Sequence, residues 1–270
     1  MKIIKRILIG IAALLLIAYV GICTLLWFKQ EKLIFHPHPL AQDFKFNYPG
    51  NFTEVTVPAF DGKKLNGLWF KADTSRGLIF YLHGNAGALD TWGDIAGIYT
   101  AQGYDIFITD YRGFGKSEGE IYSEEQVFND AQACYNEMKK HYPEDKIVVI
   151  GYSIGTGPAA KIASANHPQR LILQAPYYSL TDLSEKIYPP ILPHFILKYK
   201  FDTYQYMQQT KAPVAVFHGD KDNVIYYGSA LKLKELFKPT DTLITLPGAG
   251  HGQLNQNEQY QQVLAQLLAK

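Results

Sequence analysis

The sequence predicts an α/β protein whose mostly parallel, eight-stranded sheet carries helices on both faces and is preceded by one membrane-spanning helix. Three observations lead there. From residue 52 onward, short β-branched and aromatic runs alternate with helical patterns, the order that produces parallel sheets covered by helices. The later runs, such as Ile147-Val148-Val149-Ile150, are apolar at every position, as strands buried on both faces are. Residues 7–28 form 22 positions without a charge, and a helix of that length spans about 33 Å, the depth of a bilayer's hydrocarbon core.

The apolar run opens the element order. Lys2, Lys5 and Arg6 precede it, and Lys29, Glu31 and Lys32 follow with weaker net charge. The positive-inside bias then places the N-terminus in the cytoplasm and the rest of the chain on the extracytoplasmic side, the periplasm in a bacterium. A cleaved signal peptide would have a shorter apolar core and small residues at its end, whereas this run closes on Thr-Leu-Leu-Trp-Phe. A buried core helix would show a polar face, which this run lacks. Residues 1–30 are therefore assigned as anchor, 31–51 as juxtamembrane connector and 52–270 as catalytic domain. His36-Pro37-His38-Pro39 in the connector is expected to be a stiff extended linker rather than a metal site.

Candidate strands are 52–57, 65–71, 78–83, 104–110, 146–150, 171–174, 214–218 and 242–246. Asp61-Gly62 joins the first two as a hairpin signal. The clearest helix starts at Ser123, with Gln126 completing a capping box and Val127, Ala131, Cys134, Tyr135 and Met138 recurring at helical spacing. Other helices are expected over 89–101, 154–166, 226–237 and 253–269. Residues 177–210 break the alternation; they are rich in tyrosine and interrupted by Pro189, Pro190 and Pro193. A connection this long is expected to be a small aromatic cap over the strand ends.

Composition narrows the function. A net charge of +1 among 270 residues gives no excess of cations to hold phosphates, which argues against a nucleic-acid partner. Cys23 and Cys134 are too few for a disulfide framework or a four-ligand zinc site. The chemistry lies elsewhere. Gly151-Tyr152-Ser153-Ile154-Gly155 matches G-x-S-x-G, placed directly between a buried-type strand and a small-residue helix, the context that exposes a serine hydroxyl on a sharp turn.

A serine needs a base. Of the histidines after Ser153, His167 falls beyond the motif helix, His194 in the cap, and His218 at a strand end. His251, in the flexible loop Pro247-Gly248-Ala249-Gly250-His251-Gly252, can reach over the strand ends and is the expected base. The acid is expected at Asp222, with Asp182 and Asp220 as alternatives; Asp220 is assigned to closing its own turn by an Asx-type bond. Ile154 N–H and Asn85 N–H, with Ala86 as alternative, are the expected oxyanion donors, because His83-Gly84-Asn85-Ala86-Gly87 forms a glycine-rich nest. His83 is assigned to bracing that loop. The turn running from Asp110 to Gly119, including Arg112, is assigned to charge pairing.

These segments resemble the α/β-hydrolase fold serine hydrolases of the BEM46-like group, which includes membrane-anchored α/β-hydrolase domain proteins. The carrying residues are Glu31-Lys32-Leu33-Ile34-Phe35, the His83–Gly87 loop, Asp110 to Gly119, Gly151 to Gly155, Phe201-Asp202-Thr203, His218-Gly219-Asp220-Lys221-Asp222 and Gly250-His251. The resemblance implies Ser153 as nucleophile, Asp222 as acid, His251 as base, and hydrolysis of carboxylic ester, thioester or lipid acyl bonds. It departs at Gly252-Gln253, where relatives often carry a polar pair. The chemistry needs no metal and no organic cofactor. The expected partners are a small-molecule or lipid acyl substrate and the membrane. A peptidase or amidase on the same fold and a catalytically silent membrane scaffold are the competing readings.

Overall fold

The computed structural model describes residues 2–187, 196–252 and 254–269. The uncharged run becomes part of one long helix, α1 (Lys2–Ile34). It is long and apolar enough to cross a membrane, and Leu14, Leu15 and Ile17 are each about two-thirds exposed, as lipid-facing side chains are.

Eight strands form one sheet: β1 (Asn51–Pro58), β2 (Lys64–Lys71), β3 (Leu78–Leu82), β4 (Asp105–Thr109), β5 (Ile147–Tyr152), β6 (Arg170–Gln174), β7 (Val214–Gly219) and β8 (Thr242–Leu246). Their spatial order is β8-β7-β6-β5-β3-β4-β2-β1. β2 runs antiparallel to both β1 and β4, and the remaining pairs are parallel. The Asp61-Gly62 signal holds, with Gly62 at φ +81° between the two antiparallel strands.

The uninterrupted apolar strands are explained by two cores. Leu78, Phe80 and Leu82 of β3 and Ile147 and Val149 of β5 face one side. There they meet α4 (Glu124–Lys139), α5 (Thr156–Ala165) and α8 (Gly228–Lys234). Ile79 and Tyr81, with Val148 and Ile150, face the other side. Those pack on α2 (Leu89–Trp92), α3 (Ala96–Thr100) and α9 (Glu258–Leu268). Alternate side chains of one strand therefore enter opposite cores, and no polar face is left to alternate.

Two local expectations change. Ser123 caps α4 by accepting from Gln126 N, but Gln126 Oε1 accepts from Tyr122 N at 3.0 Å, so the return bond lands one residue earlier than a capping box requires. The connector is not a free tether. His36–Pro37 pairs with Ala86–Gly87 as a short parallel ladder, and Pro39 bridges Gly115. In the 177–210 excursion, α6 (Leu180–Ile187) and α7 (Thr203–Gln209) flank positions 188–195; Tyr188, Pro189, Pro190, Pro193 and His194 lie outside the described residues.

Candidate active site

β5 delivers its chain directly into a short 3₁₀ turn, Ser153–Gly155, which continues as α5. Ser153 sits at φ +52°, a left-handed conformation that costs a non-glycine residue of order 1–3 kcal/mol and is kept only where the surroundings enforce it. They do so by closeness. A Cβ on Gly151 would fall 2.4 Å from Gly155 O, and one on Gly155 would fall 2.2 Å from Leu82 O. Both positions must be glycine for the turn to nest against the end of β3.

His251 Nε2 stands 3.0 Å from Ser153 Oγ, and His251 Nδ1 stands 2.7 Å from Asp222 Oδ2. With the imidazole proton on Nδ1 donated to the carboxylate, Nε2 offers its lone pair to the serine hydroxyl. Three residues far apart in sequence thus meet above the C-terminal ends of β5 and β7. Asp222 is fully buried at its side chain, while His251 is about one-sixth exposed.

Burial opposes the charge on Asp222, yet its carboxyl is held well below the usual carboxylate range. Hydrogen bonds from His218 and His251, the nearby His251 charge and the Ile225 amide together outweigh the desolvation. Its Oδ1 accepts from Val224 N at 2.8 Å and Ile225 N at 2.9 Å. Asp222 therefore makes the Asx-type turn assigned from the sequence to Asp220. Asp220 instead reaches across, its Oδ1 accepting from Gly248 N at 2.7 Å, and so ties the histidine loop to the β7 loop. The reversal follows from a two-ended carboxylate: one oxygen of Asp222 can hold its own loop while the other faces the imidazole.

The remaining candidates fall elsewhere. Asp182 binds Lys232 and accepts from Tyr226 Oη. His167 is exposed beyond the C-terminus of α5, and His194 lies outside the described residues. Arg112 pairs with Asp61 and Asp130, each at 2.6 Å, the bracing role assigned to it. His83 Nε2 lies 3.1 Å from Asp110 Oδ1 and its Nδ1 lies 2.7 Å from Gly84 O, so it too braces its loop.

Ser153, Ile154 and Asn85 line one cavity of about 600 Å³, within the size range of ligand sites. The Ile154 amide opens the turn into α5, where helical N–H groups lack intrahelical acceptors. Asn85 is fixed beside it by two bonds: its carbonyl accepts from His36 N at 2.8 Å and its side chain donates to Ile34 O at 3.0 Å.

Sequence reasoning missed three contributors. His218 Nε2 bonds Ile225 O at 2.9 Å and lies 3.3 Å from Asp222 Oδ2. Its placement four residues before Asp222, across a strand end, was the available signal. Tyr152 Oη donates to the His251 carbonyl, and Tyr177 Oη donates to Ile154 O at 2.9 Å while accepting from Gly157 N. Nothing in the spacing of either tyrosine announces these bonds.

Comparisons with known proteins agree with the architecture. Residues 73–201 match the family model described as serine aminopeptidase, S33. The uncharacterized Mycobacterium tuberculosis protein MT2364 is 26% identical over 248 residues, covering 89% of this chain and 87% of its own length. Human alpha/beta hydrolase domain-containing protein 17C is 29% identical over 208 residues, 73% of this chain and 60% of that protein. Among solved structures, an esterase from Pyrococcus furiosus superposes with a TM-score of 0.69 at 20% identity, covering 87% of this chain and 97% of that one. Est1E from Butyrivibrio proteoclasticus, with ferulic acid bound, superposes with a TM-score of 0.67 at 19% identity, covering 80% of this chain and 100% of that one. Strand order, the strained serine turn and these likenesses converge on one conclusion: the chain has the α/β-hydrolase fold.

Proposed function

We propose that this chain is a membrane-anchored serine hydrolase that cleaves carboxylic ester, thioester or lipid acyl bonds through an acyl-enzyme intermediate. The observation that carries the reading is the continuous chain Ser153 Oγ to His251 Nε2 to Asp222 at the wall of an apolar cavity. His251 Nε2 takes the Ser153 proton as Oγ bonds to the acyl carbon, and the carbonyl π pair moves onto oxygen. Asn85 and Ile154 amides hold that oxyanion. The imidazolium, steadied by Asp222, then gives its proton to the departing alcohol or thiol. Water adds to the acyl-enzyme by the same route, the acid leaves, and Ser153 regains its proton.

The anchor belongs to the same reading. α1 spans the bilayer with its cationic N-terminal end in the cytoplasm and the remainder outside it, in the manner of the BEM46-like group. The relatives called hydrolases and the esterases that share the fold support an acyl substrate.

Labelling with a fluorophosphonate and turnover of p-nitrophenyl esters test the proposal. The native protein should label at Ser153 and hydrolyse the esters, and Ser153→Ala should lose both, with kcat lower by about 10⁶ as in subtilisin. A mutant that keeps the native rate sinks the assignment. An unreactive native Ser153 would favour a silent scaffold. The aminopeptidase description of the matching family model favours a second reading, peptide or amide cleavage; faster turnover of aminoacyl amides than of esters would establish it.

A further inference from the structure

α1 does more than reach the membrane. Leu26, Gln30, Leu33 and Ile34 all line the cavity that holds Ser153. Their spacing of four, three and one residues places them on one face of the helix. Of the described α1 residues, Gln30 is the buried one, at 4% exposure. Its amide donates to Ile196 O at 3.1 Å and accepts from Lys198 N at 2.8 Å. Glu31 pairs with Lys198 at 2.9 Å and accepts from Tyr199 Oη at 3.2 Å. Ile34 O accepts from the Asn85 side chain. The helix end is thus fastened on one side to the cap segment and on the other to the loop beside Ser153. A tether whose only task is to hold an enzyme near a bilayer requires none of these contacts.

The position of the water boundary adds a second observation. The uncharged run ends at Phe28, and Lys29 and Glu31 follow. Trp27 stands at that boundary, as aromatic residues do at membrane interfaces. Leu26 lies on the lipid side of it and Ile34 on the water side, so the cavity wall crosses the interface. Its other described walls are mainly apolar, with Leu183, Ile187 and Val224 beside the single hydroxyls of Ser184 and Tyr177.

We infer that the last turns of α1 are the acyl-chain wall of the Ser153 cavity, and that the substrate is a long-chain acyl lipid held at the membrane surface. Its acyl carbon meets Ser153 while its chain runs along Leu33 and Gln30 toward Leu26 and the bilayer. The inference rests on the serine-hydrolase reading above.

The test uses the full chain in phospholipid vesicles and a fluorophosphonate whose long alkyl chain ends in a diazirine. The phosphorus should bond to Ser153, and illumination should cross-link the chain end to a peptide within residues 26–34. Labelled Ser153 with cross-links confined to other segments overturns the inference and leaves the hydrolase reading standing. Unlabelled Ser153 overturns both. A second measurement is the ratio of palmitoyl to butyryl ester turnover. Leu26→Trp should lower this ratio at least tenfold, because the indole fills the membrane end of the channel. Leu15→Trp, on the lipid-facing part of the same helix, should keep the native ratio. Equal ratios in the Leu26→Trp and native proteins would also overturn the inference.

Discussion

Of the histidine–aspartate contacts at the rim of the sheet, His251–Asp222 and His83–Asp110 make the sharpest contrast, since of these two only the first meets a serine. His251 and Asp222 are 2.7 Å apart, and His83 and Asp110 are 3.1 Å apart. Both carboxylates are buried. The difference lies in what the second ring nitrogen faces. His251 Nε2 faces a hydroxyl, which can donate a proton; His83 Nδ1 faces the Gly84 carbonyl, which cannot. Both ring nitrogens of His83 are taken up by Asp110 and Gly84, neither faces a hydroxyl, and its side chain is sealed from solvent. A histidine bound to a buried carboxylate is no signature of catalysis by itself; the proposed base, His251, is the one whose remaining nitrogen meets a donor at the cavity wall.

The carboxylates diverge in charge as well. Burial acts on both against ionisation. At Asp222 two histidines and backbone amides outweigh it, and the pKa falls. At Asp110 the His83 hydrogen bond and charge offset only part of it, and the pKa rises.

The largest expected effect breaks the first pair. Asp222→Asn removes the acceptor that keeps the His251 proton on Nδ1, and kcat should drop by about 10⁴, the size of the corresponding change in a trypsin-type triad. A loss under tenfold on p-nitrophenyl butyrate would show that His251 needs no carboxylate. The matching cut in the second pair should read out as stability. His83→Ala strands a buried carboxylate and should cost about 3 kcal/mol, lowering Tm by roughly 6–12 °C. Turnover per folded molecule should stay within about tenfold of native. A larger catalytic loss with an unchanged Tm would place His83 in the reaction.

The pH dependence of stability sharpens the contrast, because the two shifts carry opposite signs. For Asp222, with its folded pKa depressed, the stabilisation is present above the ordinary carboxylate pKa of about 3.9. It is lost as pH falls below that value toward the folded pKa. For Asp110, with its folded pKa raised, the favourable contribution belongs to the acid side. It is lost as pH rises from about 3.9 through the raised folded value. Thermal unfolding between pH 3 and 7 should show native stability falling relative to Asp222→Asn toward the acid end, and falling relative to Asp110→Asn toward the neutral end. Parallel curves for the two variants would contradict the assignment.

Legibility in the sequence followed the range of the interactions involved. The inner strands were readable because burial on both faces writes a local apolar run, the exposed β1 because Asp61-Gly62 marks its hairpin, and the serine turn because its two glycines stand close in sequence, although the contact that forces Gly155 comes from Leu82 O. The Asx-type turn was assigned to Asp220 instead of Asp222 because the bond from Gly248 N that engages Asp220 spans 28 residues, beyond any turn rule. The connector was read only as a stiff extended linker because Pro-rich composition reports stiffness and says nothing of the ladder partner at Ala86–Gly87. The cavity face of α1 was hidden by its own chemistry. Leu26 and Leu33 look the same in sequence whether they face lipid or Ser153, and only Gln30 breaks the pattern.

Tyr152 carries the smallest effect, and it tests whether the histidine loop is held from below. Its hydroxyl donates to the His251 carbonyl, and its ring lies 5.6 Å from the His251 ring and 5.4 Å from Trp92. Burial, with the Asp222 charge adding to it, pushes the phenol up to about 12, so it remains a neutral donor throughout the working pH range. Tyr152→Phe keeps the ring packing and deletes one hydrogen bond worth about 1 kcal/mol. If that bond fixes the height of the imidazole over Ser153, the loss falls on the transition state, and kcat should drop about fivefold with KM unchanged. The fluorophosphonate labelling rate should fall by the same factor, since phosphonylation uses the same proton transfer. If the bond only steadies the fold, Tm will fall while both rates stay native, and the positioning of His251 must then rest on the bonds of Asp222 and Asp220 alone.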